Sequence, residues 1–484
     1  MDIEHDRNLN PNAWLKRLKG ELGIKAAHRL LAMAGTNDPF NKGTAGDFVK
    51  AEWFAGVYEK FGYHSIHLRR LHYRMAHSDE TLTLWDGDTE YLNIERHWEK
   101  LQEASIAARI LHVVDAYDFT EKRNKAVPTL HQEGSGTPEP NYWAEAPTYM
   151  YALPVAQDAT DLPSVIGFTP YGAPTFEVLG YDYSPELQPN VVEIWSESED
   201  APLHSLAYRH GINYVPGLGF ASLTAIKTML RRLEASGKPG RILYVSDFDP
   251  AGQAMPVSVA RHCQFACWEL EELAGEAAPS IKVDTVAVTR EQVEELDIPR
   301  IPIKETDLRK ARFELTHGVG AVEVEALEAV HPGKLADILR ERIEELQDAD
   351  LARKVEQRRV EANALVADAI NEIIEEHREN LEDIAERARG LSRRYDSLYE
   401  QLGDQVAERY RRLAQRFERH VTPLREELIN VEHEVRQAIE GLVVALPELP
   451  EGEADEDEER RWLFDSAHDF VEETDHLREV QGKE

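Results

Sequence analysis

Two aspartates separated by one residue follow a strongly apolar run near the middle of the chain. The segment RILYVSDFDPAG, residues 241–252, predicts a buried strand that ends at these aspartates, and its Pro-Ala-Gly turn opens a helix. Side chains two residues apart at a strand end leave the backbone on the same side, so Asp247 and Asp249 face one space. Carboxylate oxygens are the ligands that Mg²⁺ prefers. The alternative is that the pair only forms a turn and caps the helix.

The region that follows Asn190 alternates between short apolar runs and helical patterns. The predicted strands are VVEIWS, INYVPG, RILYVSD and IKVDTVAV, and the predicted helices run to about His210 and over 221–236, 251–274 and 290–296. This alternation indicates a parallel sheet covered by helices, in which ligands bind at the carboxyl ends of the strands. Glu197 follows the first strand and supplies a third carboxylate at that edge. Glu193 lies in the same strand and the same phase, so it is the alternative.

These segments resemble the Toprim domain, and most of all that of the A subunit of type IIB topoisomerases, the family of topoisomerase VI and its meiotic double-strand-break relatives. VVEIWSESEDA is similar to the strand that ends in the family's acidic residue, YVPGLGFASLTAI to its glycine-serine turn, ILYVSDFDPAG to its DxD strand, and EVEALEAV to its closing acidic-apolar motif. The resemblance covers residues 190–330 and implies that Glu197, Asp247 and Asp249 bind Mg²⁺. Close relatives usually place a lysine after the glutamate, where this chain has Ser198, so one cation near phosphate is missing.

The segment IPIKETDLRKARF, residues 301–313, contains charges that replace the missing lysine in one interpretation. Lys304, Asp307 and Arg309 are then auxiliary residues that contact phosphate. The alternative is that they are surface charges around a turn.

A second resemblance lies in LRRLHYRMA, residues 68–76, which is similar to the winged-helix motif of the same A subunits. There an arginine precedes a nucleophilic tyrosine by four residues, which here are Arg69 and Tyr73. This spacing places both on one helical face, where the guanidinium holds the scissile phosphate while the phenol attacks. The alternative is that Tyr73 only packs on the domain core. The neighbouring Arg70 and His72 are predicted to face DNA or solvent.

Beyond Pro332 almost every residue favours a helix, and apolar residues recur every three or four positions. This pattern predicts long antiparallel or coiled-coil helices, with Gly390 marking a turn and Pro423 a kink or second turn. The acidic segment ELPEGEADEDEER is predicted to be a solvated linker before a last short helix.

The predicted fold class is α/β plus α. Its organisation is a helical arm and winged-helix (CAP-like) domain over 1–125, a linker and irregular segment over 126–188, a Toprim domain over 189–330, a helical coiled-coil region over 331–447, and an acidic tail with a short helix over 448–484.

Composition limits the class of protein. The formal net charge is −35, but the acidic excess is concentrated in the last third of the chain, so DNA binding by the front part stays open. The two cysteines, Cys263 and Cys267, lie four residues apart on a predicted helix and are expected to be core residues. We expect a cytoplasmic protein without a membrane segment, because the sequence lacks a long apolar run and the start lacks signal-peptide features.

The resemblance implies Mg²⁺-dependent cleavage of double-stranded DNA, in which Tyr73 attacks the backbone and forms a 5′-phosphotyrosyl link. It also implies a homodimer and a separate ATPase subunit, because the sequence contains no P-loop motif. Two alternatives stay open. In one, the chain is a Toprim nuclease of the plasmid- or phage-defence type with water as the nucleophile. In the other, it is a catalytically degenerate DNA-binding scaffold.

Overall fold

The structure is a computed structural model of the chain. It describes residues 10–63, 66–115, 127–134, 136–152, 166–170, 173–217, 220, 223–401, 406–457 and 459–483. These residues form two compact units. The first comprises Met1–Thr137, Ser184–Ala349 and Glu451–Glu484, and the second comprises Pro138–Tyr183 and Asp350–Pro450. The fold is mixed α/β, with a largely parallel five-stranded sheet in the first unit and two long helices in the second.

The described part of the first unit begins with α1 (Pro11–Glu21), α2 (Ala45–Phe61), α3 (Leu68–Ala76) and α4 (Glu95–Ile110). The last three of these helices build a small core of their own. Buried apolar residues of α2, α3 and α4 pack together, among them Phe54, Leu71 and Leu101. Between α3 and α4 the chain makes a single antiparallel bridge from Thr83 to Glu90.

The sequence predicts a short strand in ILHVVDAY, residues 110–117. This prediction is wrong for the described part of the segment, where α4 ends and residues 111–114 form turns and bends. The Leu111 N–H donates to Ala107 O at 2.9 Å, so the apolar run closes the helix. Ile110 and Leu111 are buried as the last turn of α4 rather than as a strand. A short apolar run fits either a buried helix end or a strand, and periodicity alone does not separate them.

The sheet of the first unit confirms the predicted alternation of strands and helices. Its elements are β5 (Val191–Ser196), α5 (Ala201–His210), β6 (Asn213–Val215), α6 (Leu223–Ser236), β7 (Gly240–Val245), α7 (Ala254–Trp268), β8 (Ile281–Ala287) and α8 (Arg290–Glu295). The strand order is β6-β5-β7-β8-β9, where β9 is Phe464–Asp465, with β5 to β8 mutually parallel and β9 antiparallel. Every residue of β5 and β7 is buried, as expected for a sheet covered on both faces.

The two faces of the sheet carry different cores, because neighbouring side chains in a strand point to opposite sides. Val192 and Ile194 join the core that contains α5 and α11 (Lys334–Glu344). Val191 and Trp195 join the core that contains α6 and α7. The cysteines of α7 are free and buried in this second core, which confirms their predicted role. After α8 come α9 (Lys310–His317) and α10 (Val324–Val330).

The C-terminal segment adds a strand to the sheet and then forms the short helix that the sequence predicts. β9 (Phe464–Asp465) pairs with β8, and α14 (Phe470–Val480) follows it. Trp462 is buried in the sheet core. Glu456 accepts from Arg241 Nε at 2.6 Å and from Lys282 Nζ at 3.1 Å. This acidic segment therefore neutralises basic side chains of β7 and β8.

The second unit contains four short strands and an antiparallel helical pair within the residues that the structure describes. The strands are β1 (Asn141–Glu145), β2 (Tyr149–Ala152), β3 (Ile166–Pro170) and β4 (Thr175–Leu179), paired β1 with β4 and β2 with β3. They fall in the region expected to be an irregular linker. The Tyr142 hydroxyl donates to Leu442 O at 2.6 Å, which ties β1 to the residues after the helices.

The helical pair consists of α12 (Leu351–Glu400) and α13 (Val406–Glu440). Tyr395 contacts Phe417 with ring centroids 4.9 Å apart, and both belong to the predicted apolar seam. Gly390 lies inside α12 and Pro423 inside α13, so the turn expected at Gly390 is wrong. Glycine in a helix costs only about 1 kcal/mol relative to alanine, which the packing along a long seam offsets.

Every helix in the described ranges is too short or too polar to cross a membrane.

Candidate functional site

The turn after β7 holds the two predicted aspartates in fixed positions. Asp249 Oδ1 accepts from Ala251 N at 2.8 Å and from Gly252 N at 2.6 Å, so its carboxylate shapes the turn that leads to α7. Gly252 is required here, since a Cβ at this position would lie 1.9 Å from Asp247 O. The turn and capping role considered for this pair is therefore present, and it uses Oδ1 of Asp249.

Asp247 is held from the other side by the segment before α10. Its Oδ1 accepts from Val324 N at 2.8 Å. Phe248 and Val322 exchange two backbone hydrogen bonds, at 2.8 and 3.0 Å. This bridge joins the DxD turn to the residue before EVEALEAV, and both segments carry part of the sequence resemblance. It also brings Glu325 into the electrostatic environment of Asp247.

Glu197 lies at the same edge of the sheet, because β5 and β7 are neighbouring parallel strands. Its N–H donates to Val245 O at 3.1 Å, and its carboxylate accepts from the backbone of Asp247. Its Oε2 is buried and has no hydrogen-bond partner among the described residues. The structure therefore brings Glu197, Asp247 and Asp249 to one edge, as the strand pattern predicts.

Glu193, the alternative third carboxylate, is fully engaged in the core. Arg232 donates to its two oxygens at 2.9 and 2.8 Å, Asn213 Nδ2 donates at 3.1 Å, and Trp195 Nε1 donates at 2.8 Å. A carboxylate with this many donors has a structural role. Glu197 is the glutamate of the pair with an oxygen left to bind a ligand.

The edge concentrates negative charge. Burial raises the pKa of Glu197, and the carboxylates of Asp247 and Asp249 raise it further. Burial also raises the pKa of Asp247, where Glu325 and Asp249 add to the effect and the Val324 N–H opposes it. Asp200, the N-cap of α5, has a pKa raised by burial. Such mutual repulsion is what a bound divalent cation relieves.

Three features fit a hard cation, namely the buried free oxygen of Glu197, the mutual repulsion and the all-oxygen donor set. Glu197, Asp247 and Asp249 are the residues that would hold Mg²⁺. In the part of the chain that the structure describes, no group of three or more His, Cys, Asp or Glu side chains is already arranged to ligate one ion.

The auxiliary residues have different environments. Asp307 and Arg309 form a bidentate pair, with Nε at 3.0 Å and Nη2 at 2.9 Å from the carboxylate. This pair lowers the pKa of Asp307. The charge of Asp249 adds to the raised pKa of Arg309, so Arg309 lies within electrostatic reach of the site. Lys304 is exposed, and Ser198 is exposed beside Glu197.

Tyr73 lies on the exposed face of α3, with 49 % of its surface accessible. Its hydroxyl has no hydrogen-bond partner among the described residues. Arg69 lies over the Trp98 ring, 4.2 Å from the centroid, rather than against Tyr73. No hydrogen bond, ion pair or ring contact within the described ranges joins either residue to the carboxylate edge. The structure thus keeps the two predicted halves of the site on separate elements.

The neighbours of Tyr73 divide between core and surface. His72 is buried and bonds to Tyr91 Oη at 2.6 Å and Asn93 Oδ1 at 2.9 Å, so its predicted exposure to DNA or solvent is wrong. Burial lowers its pKa. Arg70 is exposed and donates to Tyr63 Oη at 3.3 Å. Arg74 lies over the Tyr63 ring, 5.5 Å from its centroid. Tyr63 is therefore the tyrosine that Arg70 and Arg74 contact.

The pattern of strands in the sequence does not show that the charge of Glu325 acts on Asp247, or that Asp200 is partly buried with a raised pKa. Glu325 belongs to EVEALEAV, whose resemblance to the closing motif of the family was the one available signal. The glycine-serine turn in YVPGLGFASLTAI lies largely outside the described residues, which omit 218–219 and 221–222.

A comparison of the sequence with known protein families and with curated proteins finds no match.

The raised pKa of Glu197 has a consequence for stability. Because the folded state holds this proton more tightly than the unfolded chain does, the contribution of Glu197 to stability in EDTA falls as pH rises above 4.5 through the raised pKa. In Glu197→Gln this contribution is absent, so the variant gains stability relative to wild type as pH increases. Urea denaturation between pH 4.5 and 8 measures this difference. The exposed neighbour Glu199→Gln is the control, and identical pH profiles for wild type and Glu197→Gln would contradict the expectation.

Proposed function

We propose that this chain is a Mg²⁺-dependent DNA-cleaving protein of the cytoplasm, similar to the A subunit of type IIB topoisomerases. In this proposal residues 189–330 form a Toprim domain and residues 1–125 a winged-helix domain. One observation carries it. Glu197 meets Asp247 and Asp249 at the carboxyl edge of parallel strands, and its buried Oε2 has no hydrogen-bond partner among the described residues.

The chain contributes positioning at this edge. The Val324 N–H holds Asp247, and the turn to α7 holds Asp249, so both carboxylates are fixed before a phosphate arrives. When bound, Mg²⁺ supplies positive charge that stabilises the phosphate during cleavage. Arg309 adds a second positive group within reach of Asp249.

Tyr73 is the proposed nucleophile. Its oxygen forms a bond to a backbone phosphorus, the bond from that phosphorus to O3′ breaks, the phenol proton is released, and the departing 3′-oxygen is protonated. The products are a 5′-phosphotyrosyl link and a free 3′-hydroxyl. The exposure of Tyr73 supports access for DNA. Since no contact joins Tyr73 to the carboxylates in the described ranges, we propose that the tyrosine of one subunit acts with the carboxylates of another in a homodimer. Strand passage then requires a separate ATPase subunit.

A second candidate uses water as the nucleophile, as in a Toprim nuclease. It is favoured by the position of Arg69, which lies over the Trp98 ring rather than beside Tyr73, where it would hold the phosphate. In this case the carboxylate edge acts alone and Tyr73 is a surface residue. The scaffold alternative predicts neither cutting nor Mg²⁺ binding.

The test is incubation of the chain with supercoiled double-stranded DNA and Mg²⁺, followed by a detergent quench. The proposal expects cut DNA whose ends enter a gel only after protease treatment, and no cutting in EDTA. Cut DNA with protein-free ends supports the nuclease candidate. Intact DNA, with the proposed ATPase partner supplied, contradicts both.

A further inference from the structure

An open cleft in the first unit is lined by basic groups from three parts of the chain. Its volume is about 490 Å³, and its lining includes His28, Arg312 of α9, Arg478 of α14 and Lys483. The other lining residues are apolar or glycine, so among the residues that the structure describes no carboxylate lines the cleft. This is a local concentration of positive charge in a chain of formal net charge −35.

Neutral backbone oxygens hold these cations in place. Arg478 Nη1 donates to His28 O at 2.9 Å and to Leu31 O at 3.0 Å. Lys483 Nζ donates to Ala32 O at 2.6 Å, and Arg312 donates to the carbonyl of Gly482. Carbonyls orient a cation without cancelling its charge. Within the described ranges, no carboxylate forms an ion pair with Arg312 or Lys483.

The positive charge is strong enough to affect Lys483. Burial lowers its pKa to about 8, and the charges of Arg312 and Arg478 contribute to this shift. The charge of Asp38 opposes this shift, but Asp38 is itself paired with buried Arg261 at 3.1 Å. An anion that enters such a cluster relieves the repulsion between its cations and so stabilises it.

We propose that this cleft binds the phosphate group of a nucleotide-sized anion. Its volume falls in the range of small-molecule sites. Two guanidinium groups and an ammonium are the donors that recognise phosphate, since arginine offers a planar pair of N–H groups and lysine a point charge. Both a free nucleotide and the 5′-phosphate of a DNA end carry this group. None of Glu197, Asp247 and Asp249 lines this cleft.

Isothermal titration of the full chain with pyrophosphate at low ionic strength tests the proposal. Arg312→Gln and Lys483→Gln each remove one charge-assisted contact, so each is expected to weaken binding about tenfold. Lys310→Gln is the matched control, because Lys310 lies on the same helix, pairs with Glu305 and does not line the cleft. Absence of pyrophosphate binding by wild type, or equal affinity in all three variants, would overturn the proposal.

Competition against pyrophosphate shows whether the bound phosphate group belongs to a free nucleotide or to a DNA end. If ADP displaces pyrophosphate, and this displacement depends on Arg312 and Lys483, the ligand is a free nucleotide. A 5′-phosphorylated oligonucleotide that competes, when its 5′-hydroxyl counterpart does not, identifies a DNA end, and both results support the site. Competition by neither overturns the assignment to nucleotide phosphate. Asp249→Asn must retain pyrophosphate binding, which distinguishes a failure here from a failure of the proposed DNA cleavage.

Discussion

Asp247→Asn and Asp249→Asn are each expected to lower the rate of Mg²⁺-dependent DNA cleavage by about a hundredfold or more. The physical reason is the loss of a charged metal ligand and of its electrostatic contribution at the phosphate. Initial rates on supercoiled DNA, measured in the assay with detergent quench, give the effect. Both the tyrosine and the water mechanism require this result.

Asparagine is the informative substitution, because it keeps the oxygen that the fold uses. Asp247 Oδ1 accepts from Val324 N, and Asp249 Oδ1 accepts from the turn before α7. An amide oxygen accepts the same hydrogen bonds, so folding is retained while the charge is lost. Asp469→Asn is the matched control, since Asp469 caps α14 through the same kind of contact. Full cleavage by both site variants would contradict a role of this edge in the reaction.

Tyr73→Phe is expected to abolish the protein–DNA adduct completely, because the phenol oxygen is the atom that forms the bond. Cleavage also disappears if the tyrosine mechanism operates. The measurement is the fraction of DNA ends that require protease treatment to enter the gel. Stability is expected to change little, since the Tyr73 side chain is exposed and its hydroxyl has no partner in the described part of the chain.

Tyr63→Phe is the matched control for this experiment. Tyr63 is 44 % exposed and lies beside Arg70 and Arg74. An adduct that survives in Tyr73→Phe and disappears in Tyr63→Phe would move the nucleophile to Tyr63. Cutting that persists in both variants with protein-free ends would favour water.

The parallel sheet and its carboxylate edge could be predicted because their signals are local. Each strand is a short apolar run with a turn signal, and a parallel arrangement places the strand ends together. The position of Asp249 in its turn follows from the Pro-Ala-Gly sequence beside it. Glu193 and Glu197 have the same phase, however, and the hydrogen bonds that Glu193 accepts from Arg232, Asn213 and Trp195 distinguish the core glutamate from the edge glutamate.

Long-range contacts account for most of what the sequence did not predict. The composition of the acidic segment predicts a solvated linker, but Glu456 within it contacts Arg241, more than two hundred residues away in the sequence. After this segment, β9 completes the sheet. The contribution of Glu325 depends on the backbone bridge between Phe248 and Val322. Such contacts between distant residues leave no periodic pattern in the sequence from which they could be predicted.

The helical regions show two further limits. Gly390 favours a turn locally, but it lies within α12, where packing along the seam decides the structure. Arg69 and Tyr73 have the spacing of one helical face, yet a nearby indole attracts the guanidinium. Spacing on a helix therefore predicts which side chains can meet, and the neighbouring elements decide which of them do.

The central claim is that Glu197, Asp247 and Asp249 form one divalent-cation site. Electron paramagnetic resonance of Mn²⁺ tests it directly, because the signal of the free aqueous ion decreases when the protein binds it. We expect wild type to bind Mn²⁺ in competition with Mg²⁺, and Glu197→Gln, Asp247→Asn and Asp249→Asn each to lose this binding. Equal Mn²⁺ binding by wild type and by the variant that carries all three substitutions would contradict the claim.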